Sequence, residues 1–319
     1  MSSLIEQAAL RLEQLRRAGI TIPEIAADAE PPGGPAAVAT PERPSPPPKA
    51  PASAEPAAMS RRIDLDLDLI AARGIVTPTS PRTRLADQYR VIKRPLIANA
   101  TGRGPTAIKH GNLIMLTSAL AGEGKTFTAI NLAMSIAAEF DHTVMLVDAD
   151  VARPSVPSML GLPPGPGLLD VLEGKVDIAG VLLRTNVDKL TILPAGSPHQ
   201  QATELLASAA MNDLLEELAS RYPDRIIIFD SPPLLLTTES PVLAGHMGQI
   251  VVIVHADNTP QALVHRALST IESCPIKMMV LNQARVAAGA VYGGGYGYGS
   301  YGYGSDSRHS VPAEPSAKG

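Results

Sequence analysis

Residues 113–140 read LIMLTSALAGEGKTFTAINLAMSIAAEF, and this stretch decides the fold. It opens with an apolar run that predicts a buried strand ending near Thr117. The turn ALAGEGKT follows over residues 119–126, and a helix is expected from about Lys125 to Phe140. A glycine-rich turn between a strand and a helix that closes on Gly-Lys-Thr predicts a phosphate-binding P-loop, with Ala119 in the position of its first glycine.

The chemistry of this loop follows from its residue types. Gly122 and Gly124 allow backbone N–H groups to point at phosphate oxygens, and the helix N-terminus adds a favourable dipole. Lys125 is predicted to reach the β- and γ-phosphates, and the Thr126 hydroxyl to bind Mg²⁺. The predicted ATP-binding residues of the loop are Ala121, Gly122, Glu123, Gly124, Lys125, Thr126 and Phe127.

Acidic residues end two further predicted strands. TVMLVDADVARPSV (143–156) carries Asp148 and Asp150, with Arg153 close by, and RIIIFDSPP (225–233) carries Asp230. Open α/β sheets bind ligands at the carboxyl ends of their strands. We therefore expect one magnesium and catalytic site that joins the P-loop to these carboxylates.

Apolar strand patterns alternate with helical patterns through the middle of the chain. Runs that are apolar on both faces and separated by helices predict an α/β fold, a P-loop NTPase whose mostly parallel sheet has helices on both faces. The predicted strands are Asn112–Thr117, Thr143–Val147, Leu190–Leu193, Ile226–Phe229, Ile250–Val254 and Met278–Leu281.

Composition divides the chain into four parts. Residues 1–20 predict an amphipathic helix, whose apolar stripe favours docking to another chain. Residues 21–80 hold a segment with ten of the thirty prolines and no aromatic residue, which predicts a disordered linker. Residues 81–290 are expected to be the P-loop domain, and residues 291–319 a disordered tail that contains five of the seven tyrosines.

The global composition excludes several classes of protein. A net charge of −4 and a pI near 6.0 argue against a nucleic-acid partner. The single cysteine, Cys274, rules out an internal disulfide framework and suits a reducing cytoplasm. No stretch has the roughly 18 uninterrupted apolar residues of a membrane span, so we expect a cytoplasmic protein.

Three segments together, TSALAGEGKT, VMLVDADVARPS and IIIFDSPP, resemble the Walker A, A′ and B motifs of bacterial tyrosine kinases, the P-loop enzymes of capsule and exopolysaccharide export. The likeness covers most of residues 83–304. GLLDVLEGKVDI (167–178) and LTILPAGSPHQQATELL (190–206) also resemble segments of that family. SLIEQAALRLEQLRRAG and YRVIKRPLIANA are similar to its exosortase-associated autokinase subgroup.

The resemblance implies a role for each matching residue. Lys125 would hold phosphate, Thr126, Asp150 and Asp230 would serve Mg²⁺, and Asp148 would accept the tyrosine proton, with Arg153 beside them. Asn282 lies where relatives contact the adenine base, although a strand-ending cap explains it equally well. ATP would phosphorylate the tail of a neighbouring subunit, at Tyr292, Tyr296, Tyr298, Tyr301 and Tyr303.

The resemblance also implies partners. DQYRVIKRPL is similar to the family's E-x-x-R-x-x-R helix of the ring-forming contact, with Asp87, Arg90 and Lys93 in its charged positions. A homo-oligomer, a phosphotyrosine phosphatase and a separate transmembrane activator of the polysaccharide chain-length-determinant type are expected. The activator would place the protein peripherally at the inner membrane.

Two other functions fit the same motifs. A Min- or Par-type positioning ATPase shares the fold and the three acidic strand ends, but it carries a lysine where this chain has Leu120. A non-catalytic scaffold would use ATP as a structural ligand and the Tyr/Gly tail as an adhesive segment.

Overall fold

The computed structural model describes residues 60–221 and 224–285, all within the unit that spans Glu55–Gly319. The predicted N-terminal helix, most of the linker and the tyrosine tail lie outside the described residues. In the described ranges, no helix is long and apolar enough to cross a membrane.

Eight strands of the described chain form one sheet, in the order β1-β4-β5-β3-β6-β2-β7-β8. Neighbouring strands are parallel except β4 and β5, which are antiparallel. The strands are β1 Arg61–Arg62, β2 Leu113–Ser118, β3 Thr143–Asp148, β4 Leu183–Arg184, β5 Leu190–Leu193, β6 Arg225–Asp230, β7 Gln249–His255 and β8 Ile276–Asn282. The mostly parallel α/β fold is confirmed, and all six predicted strands are present with ends shifted by at most two residues.

Helices cover both faces of this sheet, as predicted. The described helices are α1 Leu67–Ala72, α2 Arg84–Ala100, α3 Lys125–Ala137, α4 Val156–Met159, α5 Leu168–Leu172, α6 Ile178–Val181, α7 Ala202–Leu206, α8 Ala209–Arg221, α9 Glu239–Ala244 and α10 Gln261–Ser269. The P-loop helix α3 begins at the predicted residue and ends three residues before Phe140.

The side chains of each central strand point alternately to two hydrophobic cores. In β2, Leu113 and Met115 join the core beneath α5 and α8, whereas Ile114 and Leu116 join the core beneath α1, α2 and α3. This is the two-residue period of a pleated strand buried on both faces. It also fixes which side of the sheet each strand-end side chain faces.

The folded part starts earlier than the predicted boundary at residue 81. In RRIDLDLDLIAARGIV (61–76), Leu65, Ile70 and Ile75 are buried against the α3 face of the sheet. Aspartates between the apolar residues give this stretch a polar composition, which is why it was predicted to be part of the linker. The alternation of apolar and charged residues was the sequence signal that indicates a half-buried segment here.

Candidate active site

The P-loop lies between the end of β2 and the start of α3. Gly122 and Gly124 have φ values of 82° and 92°, in the left-handed region that favours glycine. A Cβ atom on Gly124 would also lie 2.1 Å from the side-chain nitrogen of Asn282. Both glycines are therefore required by the backbone path of the loop.

The loop is fastened to the ends of β7 and β8. The Glu123 side chain is 2% exposed, and its carboxylate accepts hydrogen bonds from the backbone N–H groups of Leu120 (2.7 Å) and His255 (3.3 Å) and from the Thr259 hydroxyl. The Asn282 amide donates to the Glu123 carbonyl at 2.9 Å. Glu123 thus shapes the loop from inside, and Asn282 contacts the loop backbone.

Asp148 and Asp230 lie side by side at the carboxyl ends of β3 and β6. They are register partners, and each follows a residue that faces the opposite core, so both side chains face α3. Both are fully buried. Asp148 Oδ2 accepts from the backbone N–H groups of Ser155 and Val156, each at 3.0 Å, whereas Asp148 Oδ1 and both Asp230 carboxylate oxygens have no hydrogen-bond partner among the described residues.

Burying the Asp148 and Asp230 carboxylates next to each other costs electrostatic free energy. Burial raises the pKa of Asp230 to about 7, and the neighbouring acids add to the shift, while the nearby Thr126 hydroxyl and the Lys125 ammonium oppose it. Burial likewise raises the pKa of Asp148 to about 7, although the amide of Val156 opposes it. The pKa of Asp150 is also raised by burial, against the pull of Lys125 and Arg153. An unpartnered buried carboxylate is expensive to keep charged, and a bound cation would relieve that cost.

An open cavity of about 620 Å³ lies over the loop. Lys125 Nζ lies 3.6 Å from Asp150 Oδ2 within it, and the Thr126 and Ser155 hydroxyls lie 2.9 Å apart. The predicted site residues on its wall are Ala121, Gly122, Gly124, Lys125, Thr126, Phe127, Asp150 and Arg153. Asp148 and Asp230 do not line this cavity, because each is fully buried at its strand end.

The donor set fits magnesium. Mg²⁺ prefers hard oxygen ligands and is bound in such sites by one or two carboxylates together with phosphate oxygens. Buried carboxylate oxygens without partners, beside the Thr126 hydroxyl and a phosphate loop, supply that chemistry. The residues that would hold Mg²⁺ are Thr126, Asp150 and Asp230.

The three residues predicted for subunit contact lie on α2 but in different surroundings. Asp87 and Arg90 form an exposed ion pair of 2.6 Å. Lys93 is 6% exposed, and its ammonium contacts the Glu139 carboxylate at 2.6 Å and the Ser135 carbonyl at 2.5 Å. The structure brings the first two together on the surface and uses the third to hold α2 against α3.

Several residues of the site were missed in the sequence analysis. The Ser155 hydroxyl contacts that of Thr126, and the Ser155 backbone N–H donates to Asp148. A sequence signal for this position was Pro157, because proline favours the first turn of a helix and Ser155 immediately precedes that helix. The inward-facing role of Glu123 has no sequence signal, because two of its three partners, His255 and Thr259, are more than 130 residues away.

The fold and this site define a P-loop NTPase. A family model described as ParA, with the words NUBPL iron-transfer P-loop NTPase, matches residues 109–281. The chain is 28% identical over 223 residues to the tyrosine-protein kinase YwqD of Bacillus subtilis (strain 168), covering 69% of this chain and 90% of that protein. It is 30% identical over 195 residues to the tyrosine-protein kinase CpsD of Streptococcus agalactiae, covering 59% and 83%.

Among solved structures, the kinase domain of VpsO matches with a TM-score of 0.51 and 26% identity, over 64% of this chain and all of that one. The chain therefore belongs to the bacterial tyrosine-protein kinase family, within the ParA-type P-loop NTPases. Iron transfer finds no support in the residues, because Fe–S clusters are held by several cysteine thiolates and the one cysteine here, Cys274, is buried.

Proposed function

We propose that this chain is a protein-tyrosine autokinase that transfers the γ-phosphate of ATP to the tyrosine cluster of a neighbouring subunit and thereby regulates exopolysaccharide or capsule export. The observation that carries the proposal is that the candidate active site and a cluster of possible acceptor tyrosines lie close together in the same sequence. Tyr292, the first tyrosine of the cluster, follows Asn282 at the end of β8 by only ten residues.

The chain's own residues divide the work of transfer. Lys125 and the N–H groups of the P-loop bind the phosphates, and Arg153 at the cavity wall neutralises charge that develops during transfer. Mg²⁺, when bound to Thr126, Asp150 and Asp230, supplies charge neutralisation on the phosphate oxygens. Asp148 takes the proton of the incoming tyrosine hydroxyl, a step that requires the cavity wall to open to this buried carboxylate when the tyrosine binds. The tyrosine oxygen then bonds to the γ-phosphorus, the bond between that phosphorus and the β,γ-bridging oxygen breaks, and ADP leaves.

The amide hydrogen bonds to Asp148 support its role as the base. They fix one carboxylate oxygen and leave Oδ1 without a partner. A pKa of about 7 is close to that of an efficient general base at neutral pH. Asp150 differs from Asp148 in that it lines the cavity wall. Matched variants of Asp148 and Asp150 therefore distinguish the proposed base from the proposed metal ligand.

The reach of the tail favours transfer between subunits. Ala290 to Tyr303 is a 13-residue interval rich in glycine. A flexible chain of that length has an end-to-end distance of about 20 Å. This span suits the site of a packed neighbour, and it makes a homo-oligomer the assembly in which the reaction occurs.

The surroundings of Leu120 weigh against the Par-type positioning ATPase. Par-type loops carry a lysine at this position. Here Leu120 packs partly buried against the core beneath α5 and α8, and its backbone N–H is bound by Glu123. The side chain thus lies in a packed apolar setting, and the five-tyrosine tail also has no role in that alternative.

The proposal includes two partners that the resemblance implies. A transmembrane activator would bring the protein to the inner membrane, and a phosphotyrosine phosphatase would reset the tail. Full phosphorylation would add about −7.5 to −10 of charge to the tail, which should repel neighbours and loosen the oligomer. Phosphorylated protein should therefore elute as smaller species than the unphosphorylated form.

Intact-mass spectrometry after incubation with MgATP tests the function. We expect several added phosphates on the wild-type chain, none on Lys125→Met, and none on a control in which all five tail tyrosines are phenylalanine. ADP release without a mass change would favour the positioning ATPase, and no turnover at all would favour the scaffold. Phosphates that persist on the phenylalanine control would overturn the assignment of the tail.

A further inference from the structure

Helix α4 is held at both of its ends, and each end connects to a different part of the molecule. At its N-terminus, the N–H groups of Ser155 and Val156 bind the Asp148 carboxylate, and the Ser155 hydroxyl contacts that of Thr126. At its C-terminus, Arg73 Nη1 donates to the carbonyls of Ser158 (2.9 Å) and Met159 (2.7 Å). The helix has only four residues, so its own hydrogen bonds cannot fix its position.

Arg73 belongs to an N-terminal strap, which we define as residues 61–77. The strap is attached at several points along its length. Leu65 and Asn186 exchange two hydrogen bonds of 2.9 and 3.0 Å, and Ile70 and Ile75 are buried in the core beneath α1, α2 and α3. Near its end, the Val76 N–H donates to the Asn131 side chain of α3 at 2.8 Å. The strap is a firm base from which Arg73 can hold α4.

The phosphate loop is anchored independently of the strap. Its contacts run to the opposite part of the sheet, through Glu123 to β7 and through Asn282 and Gln283 at the end of β8. Both hydrogen bonds of the Arg73 guanidinium within the described residues go to α4 and none to residues 119–124. A disturbance at Arg73 should therefore act through α4 on Asp148 and, by the Ser155 contact, on the Thr126 hydroxyl, while the backbone of residues 119–124 keeps its own anchors at β7 and β8.

We propose that Arg73 is a positioning residue for phosphoryl transfer: from the N-terminal strap it fixes α4, and α4 holds Asp148 in its working orientation. This inference rests on the proposed kinase function. It assigns to the strap the role of holding α4, and through α4 the reacting carboxylate, in place. An arginine suits the task because its fixed, planar guanidinium loses little side-chain freedom for each hydrogen bond it forms.

The kinetic test uses the full chain and three variants of the strap. Arg73→Ala should lower kcat by about 2- to 10-fold, the effect of losing exposed hydrogen bonds, while KM for MgATP changes less than about 2-fold. Arg73→Lys should recover part of the loss, since an ammonium can reach a carbonyl. Arg62→Ala removes another exposed guanidinium of the strap and should match the wild type.

Rates are normalised to the number of nucleotide-binding sites, so that a partly unfolded variant does not imitate a slower one. An unchanged kcat in Arg73→Ala, or a change confined to KM, overturns the proposal. So does an Arg62→Ala variant that loses as much activity as Arg73→Ala.

Hydrogen exchange supplies a readout that does not depend on kinase activity. The amides of Ser155 and Val156 should exchange roughly 2- to 10-fold faster in Arg73→Ala than in the wild type or in Arg62→Ala. Unchanged exchange there contradicts the positioning role even if the wild type is an active kinase. Faster exchange in a chain that forms no phosphotyrosine supports the coupling and rejects the proposed function alone.

Discussion

Asp170 and Asp230 are both buried aspartates, yet their surroundings are opposite. Asp170 Oδ2 accepts hydrogen bonds from the backbone N–H groups of Gly167 (2.8 Å) and Ser197 (3.0 Å). Burial alone would raise the pKa of Asp170, but these amide bonds outweigh it and the pKa is lowered. Neither oxygen of Asp230 has a partner among the described residues, and burial raises its pKa to about 7.

The difference separates a structural carboxylate from a functional one. Asp170 is satisfied by the protein itself, and it joins the segment around Gly167 to the one around Gly196, where the backbones approach closely. Asp230 is stabilised less, by the nearby Thr126 hydroxyl and the Lys125 ammonium, and its pKa stays raised. If it binds the proposed cation, that cation offsets the cost of burying the carboxylate.

The largest expected effect is on activity. Asp230→Asn should lower tail phosphorylation by about 10²- to 10³-fold, because it removes a charged oxygen from the metal site. Asp170→Asn, normalised to folded protein, should stay within a few-fold of the wild type. Phosphotyrosine formation on the intact chain measures both, and equal losses in the two variants would erase the distinction between the aspartates.

The proposed base, Asp148, and the proposed metal ligand, Asp150, sharpen the functional side of the comparison. Asp148→Asn should abolish phosphate transfer with little change in KM for MgATP, whereas Asp150→Asn should also weaken the response to Mg²⁺. Titration of the rate with Mg²⁺ distinguishes them. If Asp150→Asn shows a wild-type Mg²⁺ dependence, the assignment of Asp150 to the metal is wrong.

Stability should respond in the reverse order to activity. Asp170→Ala leaves the buried amide N–H of Gly167 and the more exposed one of Ser197 without their acceptor and should lower the free energy of unfolding by about 1–3 kcal/mol. Denaturant titration measures this loss. Asp230→Ala leaves no hydrogen-bond donor unpaired among the described residues and should cost less. A larger loss at Asp230 would mean that its carboxylate supports the fold.

The pH dependence of stability follows from the raised pKa. Between the ordinary aspartate value and about 7, the folded state binds the extra proton, so the stability of nucleotide- and metal-free protein should fall as pH rises through that window. One carboxylate contributes at most about 1.4 kcal/mol per pH unit. Asp230→Asn should reduce this slope, and melting temperatures measured from pH 5 to pH 8 test the change. An unchanged slope in the variant would mean that the Asp230 carboxylate does not have a raised pKa in the folded protein.

The smallest expected effect is at the surface of α2. Breaking the exposed pair by Arg90→Ala should cost the monomer about 0.2–0.5 kcal/mol, since such pairs are screened by water. A clear drop in oligomer size by light scattering, at nearly unchanged stability, would support the proposed subunit contact. Lys93→Ala is the matched comparison, and because its ammonium is buried it should lower stability more than Arg90→Ala.

Local sequence patterns were enough to predict the sheet, the phosphate loop and the positions of the acidic strand ends. The strand–loop–helix at residues 113–140 and the acidic strand ends at Asp148 and Asp230 were found correctly because each depends on neighbours within a few residues. The strap at residues 61–77 was assigned to the linker, because its apolar residues alternate with aspartates and its partners are distant in the chain.

The sequence by itself determined the class of fold, the phosphate loop and the carboxylates at the strand ends, because glycine geometry, hydrophobic period and charge are local properties. Only the tertiary structure decided which of those groups lack partners, that Glu123 turns inward, that Lys93 is buried and that Arg73 holds α4. Hydrogen-bond satisfaction and burial depend on residues brought together from far along the chain, so one-dimensional patterns do not contain them.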